Sequence, residues 1–331
     1  MVNMSDIAKM AGVSKMTVSR VINGNTTNVS KELRDRINLI IKETGYVPNA
    51  MARSLSRSSS SIISLIIQGD GESISDPYLS RLIGNLITRI QENDYYTMIN
   101  TVSTYDDIAG KLAVWRSAGA IVIGAFDKYV DQILNQVTIP IVFTDTYTDL
   151  KFLNNVGIQD RKGGCLAARY FIENNHRDFA FIGYSIHSSN VVKERLLGFK
   201  ETLKEHDIDL PDDNILSIDS VNMDFVKWLL SRNVKPTAIM TTADDMAIML
   251  INQISQSDMS VPDDFSVIGF DNIAPASYSY PPLTTIAQNI EDKAKNVTEL
   301  LFQQIDNDDI QKRSIMLDVS LIERDSVRLI E

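Results

Sequence analysis

A chain of 331 residues, 44% hydrophobic and 23% charged, is long enough for two or three domains with cores of their own. Its ordinary composition excludes a collagen-like or low-complexity chain. Its single cysteine, Cys165, excludes an intrachain disulfide or a cysteine-held metal, and no apolar run reaches the roughly 18 residues of a membrane-spanning helix. The net charge of −11 is unevenly spread. Residues 1–61 hold nine Lys and Arg against four Asp and Glu, a net of +5, which leaves −16 for residues 62–331. A basic head on an acidic body suits a chain that touches phosphates with one part only.

The opening stretch, Met1 to Met10, carries Asp6 and Lys9 and no long apolar core, so it does not read as a signal peptide. With one cysteine, the expected location is the reducing cytoplasm. Ser5 is the expected N-cap of a first helix over Asp6–Ala11, ended by Gly12. Ser14 caps a second over Lys15–Ile22, stopped by Asn23-Gly24. Two short helices about a glycine turn form a helix-turn-helix. Its apolar seam would be Ile7, Ala8, Val13, Val18 and Val21, with Lys15, Met16, Ser19 and Arg20 facing outward. Ser30 caps a third helix, in which Leu33, Ile37, Ile40 and Ile41 recur at helical spacing before Thr44-Gly45. Such a three-helix domain sets its second helix in a major groove, although capped short helices also build generic bundles.

The following residues separate those alternatives. Ala11 to Gly24 reads A-G-V-S-x-x-T-V-S-R-V-I-N-G, and Gly45 to Leu55 reads G-Y-x-P-N-x-x-A-R-S-L. This pair of motifs resembles the lactose/galactose repressor (LacI/GalR) family of bacterial transcriptional regulators. The resemblance implies a helix-turn-helix DNA-binding domain over 1–48, a hinge helix and linker over 49–61, and an effector-binding and dimerisation core over 62–331. Lys15, Met16 and Arg20 match the positions that read base edges. Arg20 suits guanine O6 and N7, and Met16 suits a thymine methyl. Ser5, Ser14, Thr17, Ser19, Asn23, Tyr46, Asn49 and Ala52 complete the implied DNA contacts. Leu55 takes the place of a leucine that wedges between base steps in the minor groove. Arg34, Arg53 and Arg57 hold the backbone or stay solvated. The hinge composition agrees: Pro48 fixes the entry, Asn49 can cap, and Ala50, Met51 and Ala52 form helix readily. About eight residues are too few for a stable isolated helix, so order there requires a partner helix and DNA. The implied partner is a near-palindromic double-stranded operator, bound by a homodimer. Family members with a leucine-heptad tail form tetramers. This sequence ends at Arg328-Leu329-Ile330-Glu331 without one, so a dimer is expected.

Ser56–Ser61 reads as a flexible linker. Beyond it, Ile62–Ile67, Tyr95–Asn100, Ala120–Gly124, Ile139–Thr144, Phe179–Gly183, Ala238–Thr241 and Ser266–Phe270 read as buried strands. Leu79, Leu82, Ile83, Leu86, Ile87 and Ile90 mark one helix face, and further helices are expected near 162–174, 192–206, 224–232 and 244–255. Alternating strands and helices in two sets predict an α/β body of two subdomains, each with a parallel sheet. The resemblance adds that the core is like periplasmic sugar-binding proteins, with two lobes closing around a small effector. The first lobe would take about 62–158 and 288–316, the second about 159–287 and 317–331.

Ligands of open α/β sheets sit at the carboxyl ends of strands. Candidates there are Asp76, Pro77 and Tyr78, then Asp145, Asp244 and Asp271. Asp76, Asp145 and Asp244 contact an effector or sit solvated in loops; Tyr78 stacks on a ring or packs in the core. By resemblance, Arg195 and Asp271 hydrogen-bond the effector and Gln288 adds a polar group. A sugar fits, because carboxylates accept from paired hydroxyls and an Arg fork donates to them. Two positions depart from the family: Ala243, where Asn is common, and Val221, near which sugar-binding members place a Trp. Trp115 and Trp228 read as core. The chain's alternative effectors are a purine, a sugar phosphate or a phosphocarrier protein acting as corepressor. A dehydrogenase is the enzyme rival, but Gly69-Asp70-Gly71 lacks the third glycine of its motif, where Ile74 stands. His176, His187 and His206 form no triad, and Cys165 reads as a small core residue. No catalysis, cofactor or metal is expected.

Overall fold

A computed structural model describes residues 2–22, 29–46, 60–69, 72–106, 108–125, 127–146, 153–186, 189–218, 224–307 and 311–331. The expected Asn23-Gly24 stop, the hinge with Asn49, Ala52, Arg53, Leu55 and Arg57, and Asp70-Gly71, His187 and Val221 lie outside these residues. The chain divides into two compact units, Met1–Ser61 and Ile62–Glu331.

The first unit contains α1 (Met4–Ala11), α2 (Lys15–Ile22) and α3 (Lys31–Thr44). Asn3, not Ser5, caps α1. Its Oδ1 accepts from the Ser5 and Asp6 amides at 2.8 and 3.2 Å, and the Asp6 carboxylate accepts from the Asn3 amide at 3.0 Å. Asn and Ser cap about equally well, and the reciprocal bond from Asp6 decides between them. Gly12 and Gly45 end α1 and α3 at φ of 68° and 60°, the left-handed geometry that glycine adopts without strain. Ile7, Ala8, Ala11, Val18, Val21, Ile37 and Ile40 form the buried seam, with Val13, Leu33 and Ile41 at its margin.

The second unit is two lobes of the same topology. The first lobe's sheet contains β1 (Ile62–Gln68), β2 (Tyr96–Val102), β3 (Gly119–Ile123), β4 (Ile141–Thr144), β5 (Asn155–Ile158) and β11 (Ser314–Leu317). Their order is β11-β5-β4-β3-β1-β2, all parallel. One face is covered by α4 (Pro77–Glu92) and α12 (Ile290–Asp306), the other by α5 (Ile108–Val114) and α6 (Asp127–Gln136). The second sheet contains β6 (Phe179–Tyr184), β7 (Ile215–Ile218), β8 (Ala238–Thr241), β9 (Ser266–Asp271), β10 (Thr284–Gln288) and β12 (Val319–Ile322), in the order β12-β10-β9-β8-β6-β7. Its helices are α7 (Asp160–Glu173) and α8 (Asn190–Glu205) on one face, and α9 (Phe225–Leu230), α10 (Asp244–Ser255) and α11 (Ala274–Tyr278) on the other. Strands β3, β4, β5, β8 and β9 are buried along their whole length, as coverage on both faces requires. The second sheet is not wholly parallel, because β12 runs antiparallel to β10.

The chain passes between the sheets three times, each time across one residue: Gln159, Asn289 and Asp318. Gln288 still belongs to the second sheet and Leu317 to the first, each one residue across from the boundary the sequence suggests. The crossings lie side by side, since the Gln159 amide donates to the Leu317 carbonyl at 2.9 Å and Gln288 pairs with Val319. Trp228 packs half-buried on the second lobe, whereas Trp115 follows α5 and is 36% exposed, outside the core. The helix ends at Val114 and the chain turns at Arg116, with φ of 48°.

Candidate functional site

Each unit carries candidate functional residues. In the first, Ser14 begins α2 by accepting from the Thr17 amide at 3.2 Å. Val18 and Val21 turn inward, so helical spacing presents Lys15, Met16 and Arg20 to solvent. Met16 is 64% exposed, which packing does not account for. Ser5, Thr17 and Ser19 are half-buried on the flanks. Tyr46 is also half-buried, and its ring packs against the seam of the three helices.

In the second unit, both sheets change direction beside their first strand: β1 lies between β2 and β3, and β6 between β7 and β8. Such switch points open a crevice at the carboxyl ends of strands. The polar residues gathered at the lobe junction form one connected set. The Tyr78 hydroxyl donates to Asp145 Oδ2 at 2.5 Å. Lys293 Nζ donates to Tyr78 at 2.7 Å, and to Asp145 Oδ1 and Gln288 Oε1 at 2.6 Å each. Gln288 Nε2 in turn donates to Asp271 Oδ1 at 2.6 Å. Tyr78 and Asp145 come from the first lobe, and Asp271 and Gln288 from the second, Gln288 as the last residue before a crossing.

Arg195 sits beside Asp271 on α8. Its Nε donates to Asp160 Oδ1 at 2.7 Å, Nη1 donates to the Thr242 carbonyl, and its guanidinium carbon lies 3.5 Å above the Phe270 ring. The ion pair is buried on both sides. Close helix packing makes it possible. Gly164 of α7 and Gly198 of α8 face each other's helix, and a Cβ on either would strike the Arg195 or Arg161 carbonyl oxygen. Only glycine lets the two backbones approach far enough for Asp160 to reach Arg195.

Electrostatics and backbone geometry single out the same residues. Burial pushes the Asp271 carboxyl well above the ordinary carboxylate range, with Arg195 offsetting part of that effect. Burial and the neighbouring Asp145 push the Tyr78 hydroxyl well up too. Asp145 and Asp271, at the ends of β4 and β9, have φ of 54° and 110°. These values are unusual for residues with a side chain, and such strain clusters at ligand sites.

Two further candidates also have structural partners. Asp244 is buried inside the second lobe, where Thr285 Oγ1 donates to it at 2.5 Å and the Ile273 amide at 2.9 Å. Burial lifts its pKa to about 7. Asp76 caps α4 by accepting from the Leu79 amide at 2.6 Å, and is half-buried. Lys293 and Asp160 were not expected at all. The signal for Lys293 is a cation on the inward face of a helix whose Ile290, Ala294, Val297 and Leu301 mark the core.

The described His176 and Cys165 have structural partners. His176 bonds Thr237 and the Arg328 carbonyl at 2.9 and 3.1 Å, and burial lowers its pKa to about 4. Cys165 lies against the Gly198 carbonyl. Among the described residues no His, Cys, Asp and Glu gather as a metal site, and no helix is long and apolar enough to cross a membrane.

Comparison with known proteins gives the same two parts. Residues 3–49 match the bacterial regulatory proteins of the lacI family, and residues 168–327 match a periplasmic binding protein-like domain. The chain is 32% identical to the HTH-type transcriptional regulator MalR of Clostridium butyricum, over 98% of each chain. It is 30% identical to the ribose operon repressor of Haemophilus influenzae, over 99% of each. Its fold is similar to that of the Lac repressor dimer bound to operator and the anti-inducer ONPF, with a TM-score of 0.87, 24% identity and 99% of each chain covered. An exposed second helix on a basic three-helix head, a two-lobed core and full-length similarity to such regulators make one conclusion: the chain belongs to the lacI family of bacterial regulatory proteins and is a DNA-binding transcriptional regulator.

Proposed function

We propose that this regulator is a cytoplasmic homodimer that represses carbohydrate-utilisation genes and releases its operator when a neutral sugar enters the lobe junction. One observation carries the effector class. Arg195 Nη2 and Asp271 Oδ2 make no hydrogen bond among the described residues, which leaves a donor and an acceptor on two electrostatically coupled groups. Vicinal hydroxyls match that pair. The cations of the junction are already paired with Asp160 and Asp145, so an anionic ligand finds no free countercharge. In this reading Lys15, Met16 and Arg20 meet base edges, Leu55 wedges the minor groove, and sugar binding favours the lobe arrangement that separates the two hinges.

The test is a thermal-shift screen of the purified protein against neutral sugars, sugar phosphates and nucleobases. Binding to the native state raises the melting temperature. A response to neutral sugars that Asp271→Ala abolishes, with DNA binding retained, is expected. A response confined to sugar phosphates or purines overturns the inducer reading and supports a corepressor instead. For the head, Arg20→Ala should relax base preference at one position of each half-site selected from random DNA. Uniform weakening across all sequences makes Arg20 a phosphate contact.

A further inference from the structure

Lys293 matches no expected site residue, yet it is the most connected charge at the lobe junction. It stands on α12 beside Ile290, Ala294 and Val297 and has no exposed surface. A buried ammonium is costly unless each of its three protons finds an acceptor. Here they find Tyr78, Asp145 and Gln288, at 2.7, 2.6 and 2.6 Å.

The third contact has a directional consequence. A primary amide accepts at one end and donates at the other. A cation can be met only by the carbonyl end. By holding Gln288 Oε1, Lys293 turns Nε2 towards Asp271 and occupies Asp271 Oδ1. Oδ2 is then the Asp271 oxygen without a partner among the described residues.

We propose that Lys293 is a positioning residue that fixes the polarity of the Gln288 amide and thereby selects the face of Asp271 offered to the effector. The effector half of this statement rests on the sugar-binding reading above; the amide half does not. Without Lys293, Asp145 keeps the Tyr78 hydroxyl as its donor among the described residues. Gln288, which shares Lys293 with Asp145, is then released to turn its amide towards Asp145 and leave Asp271.

The experiment uses the full chain as Lys293→Met and as Lys293→Met/Asp145→Asn. The double variant removes the carboxylate left unpaired by the single change, so it folds even if the single variant does not. Ligand-free crystal structures and titrations with D-ribose, maltose and cellobiose are the readouts. In the single variant, where the Asp145 carboxylate has lost its cation, the Gln288 side chain is expected to leave Asp271. The double variant should melt near the parent yet bind the parent's preferred sugar about tenfold or more weakly, the scale of one charged hydrogen bond. Gln288 remaining on Asp271 in the single variant overturns the proposal. Full recovery of sugar affinity in the double variant also does, because Lys293 is then only a counter-ion for Asp145. If no sugar shifts the parent, the effector reading fails, and the Gln288 position in the crystals still decides the positioning role.

Discussion

The two lobes share one strand order, but their strand ends do different chemistry. In the first lobe Tyr78, Asp145 and Lys293 form a closed triangle in which each group satisfies the other two. In the second lobe Arg195 holds Asp160 and the Thr242 carbonyl and Asp271 holds Gln288, and among the described residues each keeps one polar atom unspent. The shared fold supplies equivalent positions at the ends of equivalent strands. Which end is left with an open hydrogen bond depends on which side chains already neutralise one another.

The comparison breaks most severely at Arg195. Arg195→Ala takes the guanidinium away from the buried Asp160 carboxylate, and chemical denaturation should show a loss of about 3–5 kcal/mol. A loss below about 1 kcal/mol contradicts a buried pair. Gly198→Ala comes next. Its methyl meets the Arg161 carbonyl, so α7 and α8 must part, at a cost of about 1–3 kcal/mol in the same measurement. Arg195 then shifts from Asp160, and any effector-induced rise in melting temperature should shrink with it.

A third change uses acidity. Asp244 titrates near 7 in the folded chain because burial disfavours its charge, against the ordinary carboxylate range when unfolded. The folded state therefore holds this proton more tightly. The stability it contributes is complete below about pH 4 and is lost as pH climbs through about 7. Asp244→Asn removes this titration, so the melting temperature of the variant minus that of the parent should rise between pH 4 and pH 8. A constant difference contradicts the raised pKa. The smallest effect is expected in the triangle. Tyr78→Phe removes a hydroxyl from Lys293 but leaves it Asp145 and Gln288, so a loss of about 1 kcal/mol is expected by thermal denaturation.

Much of the architecture can be read from the sequence because apolar runs are long where both faces are covered. Ile62–Ile67 and Phe179–Gly183 are such runs, and both lie in strands. The strands that escape the same reading are short or polar. Asn155–Ile158 includes an Asn and a Gly, Thr284–Gln288 is half threonine and glutamine, and Ser314–Leu317 and Val319–Ile322 are four residues each. Their identity depends on neighbours distant in sequence. The junction follows the same division. Arg195, Asp271 and Gln288 could be placed because motifs surround them. Lys293 could not, since a lysine in a helix ordinarily faces water. Asp244 shows the opposite case: the end of a strand marks it as a ligand contact or a solvated loop residue, and its bonds to Thr285 and the Ile273 amide inside the lobe are set by residues distant in sequence.

The three single-residue crossings have a mechanical meaning. Gln159, Asn289 and Asp318 are adjacent struts with no slack, because regular strand or helix begins within one residue on either side. Parallel struts of this kind behave as a flexure. They resist stretching and shear, which would break strand pairing, but yield to bending through a few backbone dihedrals. The lobes are therefore left essentially one soft coordinate, a rotation about the line of the crossings. Gln288 lies immediately beside that axis, where displacement is smallest, while points on the far surface of each lobe travel furthest. A change at the junction too small to disturb its hydrogen bonds is thus enlarged with distance, as at the handle of a pair of tongs.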